Sequence, residues 1–268
     1  MTQPKVIIIG AGIVGTSLAD ELTERGCTDV TVLDRGPLFT TGGSTSHAPG
    51  LVFQTNGSKT MSEFARYTVE KFVGLDAFNQ VGGLEVATTE ARWTDLHRRY
   101  GWAQSWGIAG QLLDPAQCAA LYPLLDADRV LGGFHTPTDG LAKALRAATL
   151  QADRATERGA RFVGDQEVAD VLERGGRVVG VRTVSGEEFP ADVVVSAAGF
   201  WGAQLGARVG LTVPLVPMAH QFAKSGQLAD LRRDGLAPDH ARMPILRHQD
   251  QDLYYREYGD RLGIGYYG

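Results

Sequence analysis

The segment Lys5-Val6-Ile7-Ile8-Ile9-Gly10-Ala11-Gly12-Ile13-Val14-Gly15 constrains the fold more than any other part of this chain. Val6 to Ile9 is a continuous β-branched run, as expected of a parallel strand buried on both faces, and it stops at glycine. Gly10, Gly12 and Gly15 match G-x-G-x-x-G. The first glycine allows a tight turn, the second lets backbone approach a pyrophosphate, and the third lets the following helix pack closely on the strand. That helix is expected from about Gly12 to Arg25, with its N-terminal N–H groups aimed at the anion. A second strand, Asp29 to Leu33, ends at Asp34, 19 positions past Gly15, where a carboxylate can accept hydrogen bonds from ribose hydroxyls. The unit reads as a site for an adenine dinucleotide. Asp34 would repel a 2′-phosphate, which leaves NAD or FAD, and the glycines alone do not separate these two.

The rest of the composition fits an ordinary globular protein. Its 268 residues are 43% hydrophobic and 21% charged, enough to bury a sizeable core. The net charge of -5, without a Lys/Arg run, gives no reason to expect nucleic acid or a membrane as partner. The only apolar N-terminal run is the short first strand, too brief for a signal peptide or membrane span, so a cytoplasmic location is expected. Cys27 and Cys118, far apart in a large chain, read as reduced structural thiols.

After the nucleotide unit comes a Gly/Ser/Thr/Pro-rich loop, 36–57, of the length that usually carries function. An amphipathic helix through Phe64, Tyr67, Val69 and Phe72 follows, then a strand at 83–88, a helix at 89–100, and a helix begun by the N-cap and N1 pair Asp114-Pro115. Asp139 is read as opening a long helix from Leu141 to about Arg158. Beyond Gly159 come strands at 160–163, 168–174 and 178–184, and a Val-rich run from Ala191 that ends in Ser196-Ala197-Ala198-Gly199, a return to the first sheet. A hairpin followed by such a strand, with small residues where it would meet a cofactor, tips the reading from NAD toward FAD. From Leu211 alternating apolar segments (213–217, 245–247, 253–257, 262–266) read as strands of an antiparallel substrate sheet. The expected architecture is α/β: a Rossmann-like two-dinucleotide fold, with 1–80 and 140–210 as a discontinuous FAD-binding domain. The substrate-binding domain, 81–139 and 211–268, is interleaved and reads as C-terminally incomplete. Strand 262–266 is expected to leave a bare sheet edge, which would favour self-association or pairing with a further C-terminal segment.

Several segments together resemble the amine-oxidising flavoproteins of the D-amino-acid-oxidase-like superfamily, within it the group of dimethylglycine oxidases and sarcosine and dimethylglycine dehydrogenases. They are the glycine motif, Gly43-Ser44-Thr45-Ser46-His47-Ala48-Pro49-Gly50-Leu51, Phe78 to Glu85, Ala198-Gly199-Phe200-Trp201-Gly202, Ala219-His220-Gln221 and Leu246 to Glu257. The resemblance covers essentially the whole chain. It implies that His47 is joined covalently to the flavin 8α-methyl carbon. It also implies that Ile13, Val14, Asp34, Arg35, Ser44, Thr45, Leu51, Val168 and Tyr254 contact FAD, and that His220 and Tyr254 are the catalytic pair. The implied reaction is oxidation of an N-methylated amino acid, dimethylglycine or sarcosine, by hydride transfer to FAD, with oxygen or a protein as electron acceptor. Tetrahydrofolate would enter only in a longer form. Alternatives are a catalytically incomplete FAD-binding fragment and a non-covalent FAD amino-acid oxidase.

Side chains alternate along a strand, so only one of Tyr254 and Tyr255 should face the flavin. Ser44 and Ser46 lack a strand-to-helix nucleophile elbow, which argues against acyl transfer. His97, His135, His240 and His248 show no metal-ligand spacing, and no metal is expected. Arg247 and Arg256 read equally as carboxylate ligands or as solvated strand-edge arginines.

Overall fold

The computed structural model describes residues 3–40, 42–232, 237 and 240–267. These form two compact units, Met1–Ala48 with Ala144–Met218, and Pro49–Lys143 with Ala219–Gly268.

In the first unit a four-stranded parallel sheet runs in the order Val193–Ser196, Val6–Ile9, Val30–Leu33, Arg161–Val163. Its two central strands, Val6–Ile9 and Val30–Leu33, are buried on both faces, as expected of β-branched parallel strands. Val6, Ile8, Val30 and Val32 meet Ala19 and Ala155 of helices Ile13–Glu24 and Ala144–Glu157 on one face. On the other, Ile7, Ile9 and Leu33 meet Val181 and Leu205. Val181 belongs to a three-stranded antiparallel sheet, Val168–Arg174, Arg177–Thr183 and Glu188–Pro190. The two helices are tied by buried Asp20, which accepts from Arg158 Nη1 at 2.7 Å and lies 3.4 Å from Arg154 Nε. Removing one partner of such a buried carboxylate is costly, because the charge is then left without compensation.

The second unit carries a seven-stranded sheet in the order Phe222–Lys224, Arg261–Tyr266, Leu253–Tyr258, Ile245–His248, Gly83–Ala87, Gly132–Thr136, Gln111–Leu113. It is antiparallel except where Ile245–His248 runs parallel to Gly83–Ala87. Leu84, Val86, Leu113, Cys118, Tyr122 and Leu246 form its main core cluster. Both cysteines are free, and burial pushes the Cys118 thiol up to about 11.

Five expectations change. Residues 49–80 and 140–143 group with the second unit and 211–218 with the first, because Gly140–Ala142 is a strand flanked by Leu51–Val52 and Phe78–Asn79. For the same reason Leu141 opens no helix, and Ala144 does. A β-carbon on Gly140 would lie 2.2 Å from the Asn79 carbonyl, so glycine is what lets these strands approach. Residues 213–217, with prolines at 214 and 217 unable to donate, form no strand. The chain pairs at Phe222–Lys224 instead, so Arg261–Tyr266 is hydrogen-bonded on both sides and leaves no bare edge. Finally, helix Lys59–Gly74 buries Ser62, Val69 and Phe72, while Phe64 and Tyr67 are exposed.

Candidate active site

The first unit holds a cavity of about 640 Å³ built around the glycine turn. Gly10 sits at φ +109°, a conformation that favours glycine, and a β-carbon there would lie 2.5 Å from the Ala197 carbonyl oxygen. Gly15 does not line the cavity. Its hydrogen faces the Gly10 carbonyl, which a β-carbon would meet at 1.9 Å, so it serves helix–turn packing, as the third glycine of the motif should. Gly12 caps helix Ile13–Glu24 without a side chain, and Ile13 N–H donates to Thr45 Oγ1 at 2.9 Å. The turn is braced by Asp34. Its Oδ2 accepts from Ala11 N–H at 2.7 Å and its Oδ1 from Gly36 N–H at 3.1 Å, which leaves each oxygen a lone pair for a hydroxyl donor.

Gly10, Gly12, Ile13, Val14, Asp34, Arg35, Ser44, Thr45 and Val168 all line this cavity. Val14 is 66% exposed on the helix end, an apolar side chain beside the glycine turn. The Arg35 guanidinium lies 3.8 Å above the Trp201 ring, which is itself part of the wall. Gln166 and Arg208 also line the cavity and carry no local sequence signal that singles them out. The volume falls within the ~300–1,000 Å³ of cofactor sites. The glycine turn, helix N-terminus, free carboxylate lone pairs and apolar wall fit an adenine dinucleotide such as FAD. Within the same unit, Ser44–His47 forms one helical turn. Ser44, Thr45 and Ser46 face the cavity, whereas His47 is exposed and outside its wall.

Leu51, His220 and Tyr254 belong to the second unit. His220 and Tyr254, 34 positions apart, come together with ring centroids 5.9 Å apart and planes 25° from parallel. Tyr267 packs on both, at 4.9 Å from Tyr254 and 5.2 Å from His220, a third ring that the sequence did not single out. Tyr254 is 2% exposed, and burial, with Tyr267 and Tyr258 beside it, raises its hydroxyl above the ordinary phenol range. Tyr255 packs instead against the Leu84 and Tyr122 cluster, as strand alternation requires.

Glu85, in register with Arg247 and Tyr254 on the same sheet, and Asp139 are buried carboxylates. Arg99 Nη1 reaches Glu85 Oε2 at 3.0 Å, and Arg247 Nη1 lies 3.7 Å from the same oxygen with its guanidinium 4.5 Å above the Phe53 ring. Arg247 is thus a packed, partnered cation. Arg256 donates to the Pro49 carbonyl and stacks 3.9 Å above Tyr258. Among the described residues no group of three or more His, Cys, Asp or Glu side chains is placed to hold a metal ion. No described helix is long and apolar enough to cross a membrane.

Residues 5–268 match the family described as FAD dependent oxidoreductase, and the cavity around the glycine turn fits its cofactor. The chain belongs to that family, whose members include enzymes of amino acids and amines. It is 30% identical over 275 residues to mitochondrial sarcosine dehydrogenase of Homo sapiens, covering 98% of this chain and 29% of the relative. It is 29% identical over 276 residues to mitochondrial dimethylglycine dehydrogenase of Homo sapiens, covering 99% of this chain and 30% of the relative. The crystal structure of L-proline dehydrogenase from P. horikoshii shares its fold, with a TM-score of 0.85 at 24% identity over 98% of this chain and 70% of that one. The chain therefore spans about three tenths of the length of these two curated relatives.

Proposed function

We propose that this chain carries the FAD-dependent oxidation of the N-methyl C–N bond of a small N-methylated amino acid, dimethylglycine or sarcosine. The observation that supports this reading best is the stacked His220–Tyr254 pair, with Tyr254 buried beside Tyr267. An N-methyl carbon releases hydride only when the nitrogen lone pair is free to form the imine, so a substrate ammonium must first lose its proton. His220 is the acceptor for that proton, and Tyr254 supplies a hydroxyl that orients the amine. FAD, when bound, supplies the two-electron acceptor. Water then adds to the imine and releases formaldehyde with the demethylated amino acid. Gly10, Gly12, Ile13, Val14, Asp34, Arg35, Ser44, Thr45 and Val168 would hold the dinucleotide, with Gly15 supporting the turn; the family resemblance adds Leu51 and Tyr254 as FAD contacts. In this reading His47 is the point of covalent attachment, and electrons leave to oxygen or to a protein acceptor.

The test is anaerobic flavin bleaching on mixing with dimethylglycine, sarcosine, glycine and proline. Bleaching by the two N-methylated substrates, with formaldehyde formed in equal amount, is the expected result. Bleaching by glycine or proline alone would overturn the substrate assignment. Flavin that stays in solution after acid precipitation would overturn the covalent bond.

A further inference from the structure

His47 is exposed, yet its ring does not choose its tautomer freely. Its Nδ1 lies 2.9 Å from Ser46 Oγ and 3.1 Å from the Gly43 carbonyl oxygen. That same carbonyl accepts the Ser46 hydroxyl at 2.9 Å and the Ser46 N–H at 3.2 Å. A carbonyl oxygen only accepts, so the contact between Nδ1 and the Gly43 carbonyl requires the hydrogen on Nδ1; with Nδ1 as donor, the Ser46 hydroxyl donates to the same carbonyl and turns a lone pair toward the ring. A neutral imidazole has one N–H, and which nitrogen bears it follows from the hydrogen bond its ring makes. Here that nitrogen is Nδ1. The lone pair that remains is on Nε2.

We propose that Ser46 and the Gly43 carbonyl lock His47 as the Nδ1–H tautomer, which makes Nε2 the nucleophile for flavin attachment and Ser46 a positioning residue for that step. The inference rests on the covalent reading above and deepens it. Gly43 and Ser46 both line the first unit's cavity, so the lock is built from the wall of the site that would hold the cofactor. In attachment the Nε2 lone pair makes the new C–N bond to the 8α-methyl carbon and one methyl C–H bond breaks. Its proton goes to water, and its electron pair stays on the flavin until dioxygen takes two electrons and becomes hydrogen peroxide. A histidine in the opposite tautomer has its Nε2 lone pair occupied by hydrogen and cannot begin this step. Ser46 thereby acts through His47 without touching the reacting carbon.

Long-range ¹H–¹⁵N spectra of the flavin-free chain, labelled with ¹⁵N-histidine, read the tautomer directly, with the His47 signals assigned by their loss in His47→Asn. The expected result is Nδ1–H for wild type, a shift of population toward Nε2–H in Ser46→Ala, and restoration in Ser46→Thr, which keeps the hydroxyl. In parallel, the rate at which added FAD becomes acid-precipitable should fall roughly 2- to 10-fold in Ser46→Ala, the range of one neutral hydrogen bond, and recover in Ser46→Thr. An Nε2–H wild type, or a Ser46→Ala chain with tautomer and attachment rate unchanged, overturns the proposal. Spectra that show the lock while no flavin is ever found on the His47 peptide instead overturn the covalent reading, and with it the role of Ser46 in attachment.

Discussion

The phenol ring of Tyr254 lies across Gly265, its partner on the neighbouring strand. A β-carbon on Gly265 would come within 1.8 Å of Tyr254 Cζ and 2.2 Å of its hydroxyl oxygen. The absent side chain is thus the floor on which the ring rests, and it fixes where the hydroxyl stands relative to His220. Gly263, two positions earlier on the same strand face, does likewise for Tyr258 and Phe222, which a β-carbon would meet at 2.4 and 2.6 Å.

Gly265→Ala should therefore expel the Tyr254 ring and cost about 1–3 kcal/mol of stability through overpacking. Gly101→Ala is the matched control. That glycine lies inside helix Glu90–Ser105 with nothing within 4 Å of a new β-carbon, and alanine there should stabilise by about 0.5–1 kcal/mol. Urea unfolding midpoints of the two variants should move in opposite directions.

The parts of this molecule legible in the sequence are those written in adjacent residues. The strand, glycine turn, helix and Asp34 follow one another within 30 positions, and the structure places them as the spacing requires. The Asp114 cap before Pro115 is likewise local, down to the reciprocal bond with Gln117. Leu141 misled because its strand depends on partners at 51–52 and 78–79, which no local pattern announces. Phe64 and Tyr67 misled because hydrophobicity alone does not say which helix face is covered. The His220–Tyr254 pair came only from the family resemblance. The alternating Gly263 and Gly265 were a physical hint to it, since glycines spaced by two in a strand leave room for rings to lie across them. Trp201 and Arg208 reach the cavity from more than 180 positions beyond Gly15, a distance over which no spacing rule operates.

Asp34→Ala should weaken FAD binding by about 1.5–3 kcal/mol, the worth of a hydrogen bond to a charged group. The geometry adds a second effect, since the same carboxylate holds the N–H groups of Ala11 and Gly36. Asp34→Asn, which keeps one acceptor oxygen, should therefore lose less thermal stability than Asp34→Ala. Equilibrium dialysis with FAD and thermal unfolding of the flavin-free variants separate the two contributions; unchanged flavin affinity in Asp34→Ala would remove Asp34 from the site.

His220→Ala should slow anaerobic flavin reduction by roughly 10²–10⁴, the range for a positioned acid–base group. Tyr254→Phe keeps the ring over Gly265 and removes only the hydroxyl, so it should unfold like wild type while still reducing flavin slowly. Stopped-flow traces within a few-fold of wild type for His220→Ala would exclude it from proton transfer.

Asp139 gives the protein a pH dependence whose sign can be worked out. Burial drives its carboxyl up from 3.8 to about 7, against hydrogen bonds from Gln54 and the attraction of Arg247, with repulsion from Glu85 in the same direction as burial. Between pH ~4 and ~7 the folded state keeps a proton that the unfolded state has lost. The contribution of Asp139 to stability is therefore full below about pH 4, falls as pH rises, and levels off above about pH 7. Asp139→Asn retains a carbonyl for the Gln54 N–H and cannot ionise. The variant should match wild type at pH 4 and exceed it at pH 8 by on the order of a few kcal/mol, since each tenfold change in proton affinity is worth about 1.4 kcal/mol. Denaturant unfolding across that range is the measurement, and parallel profiles for the two proteins would show that Asp139 is ionised in the folded state throughout.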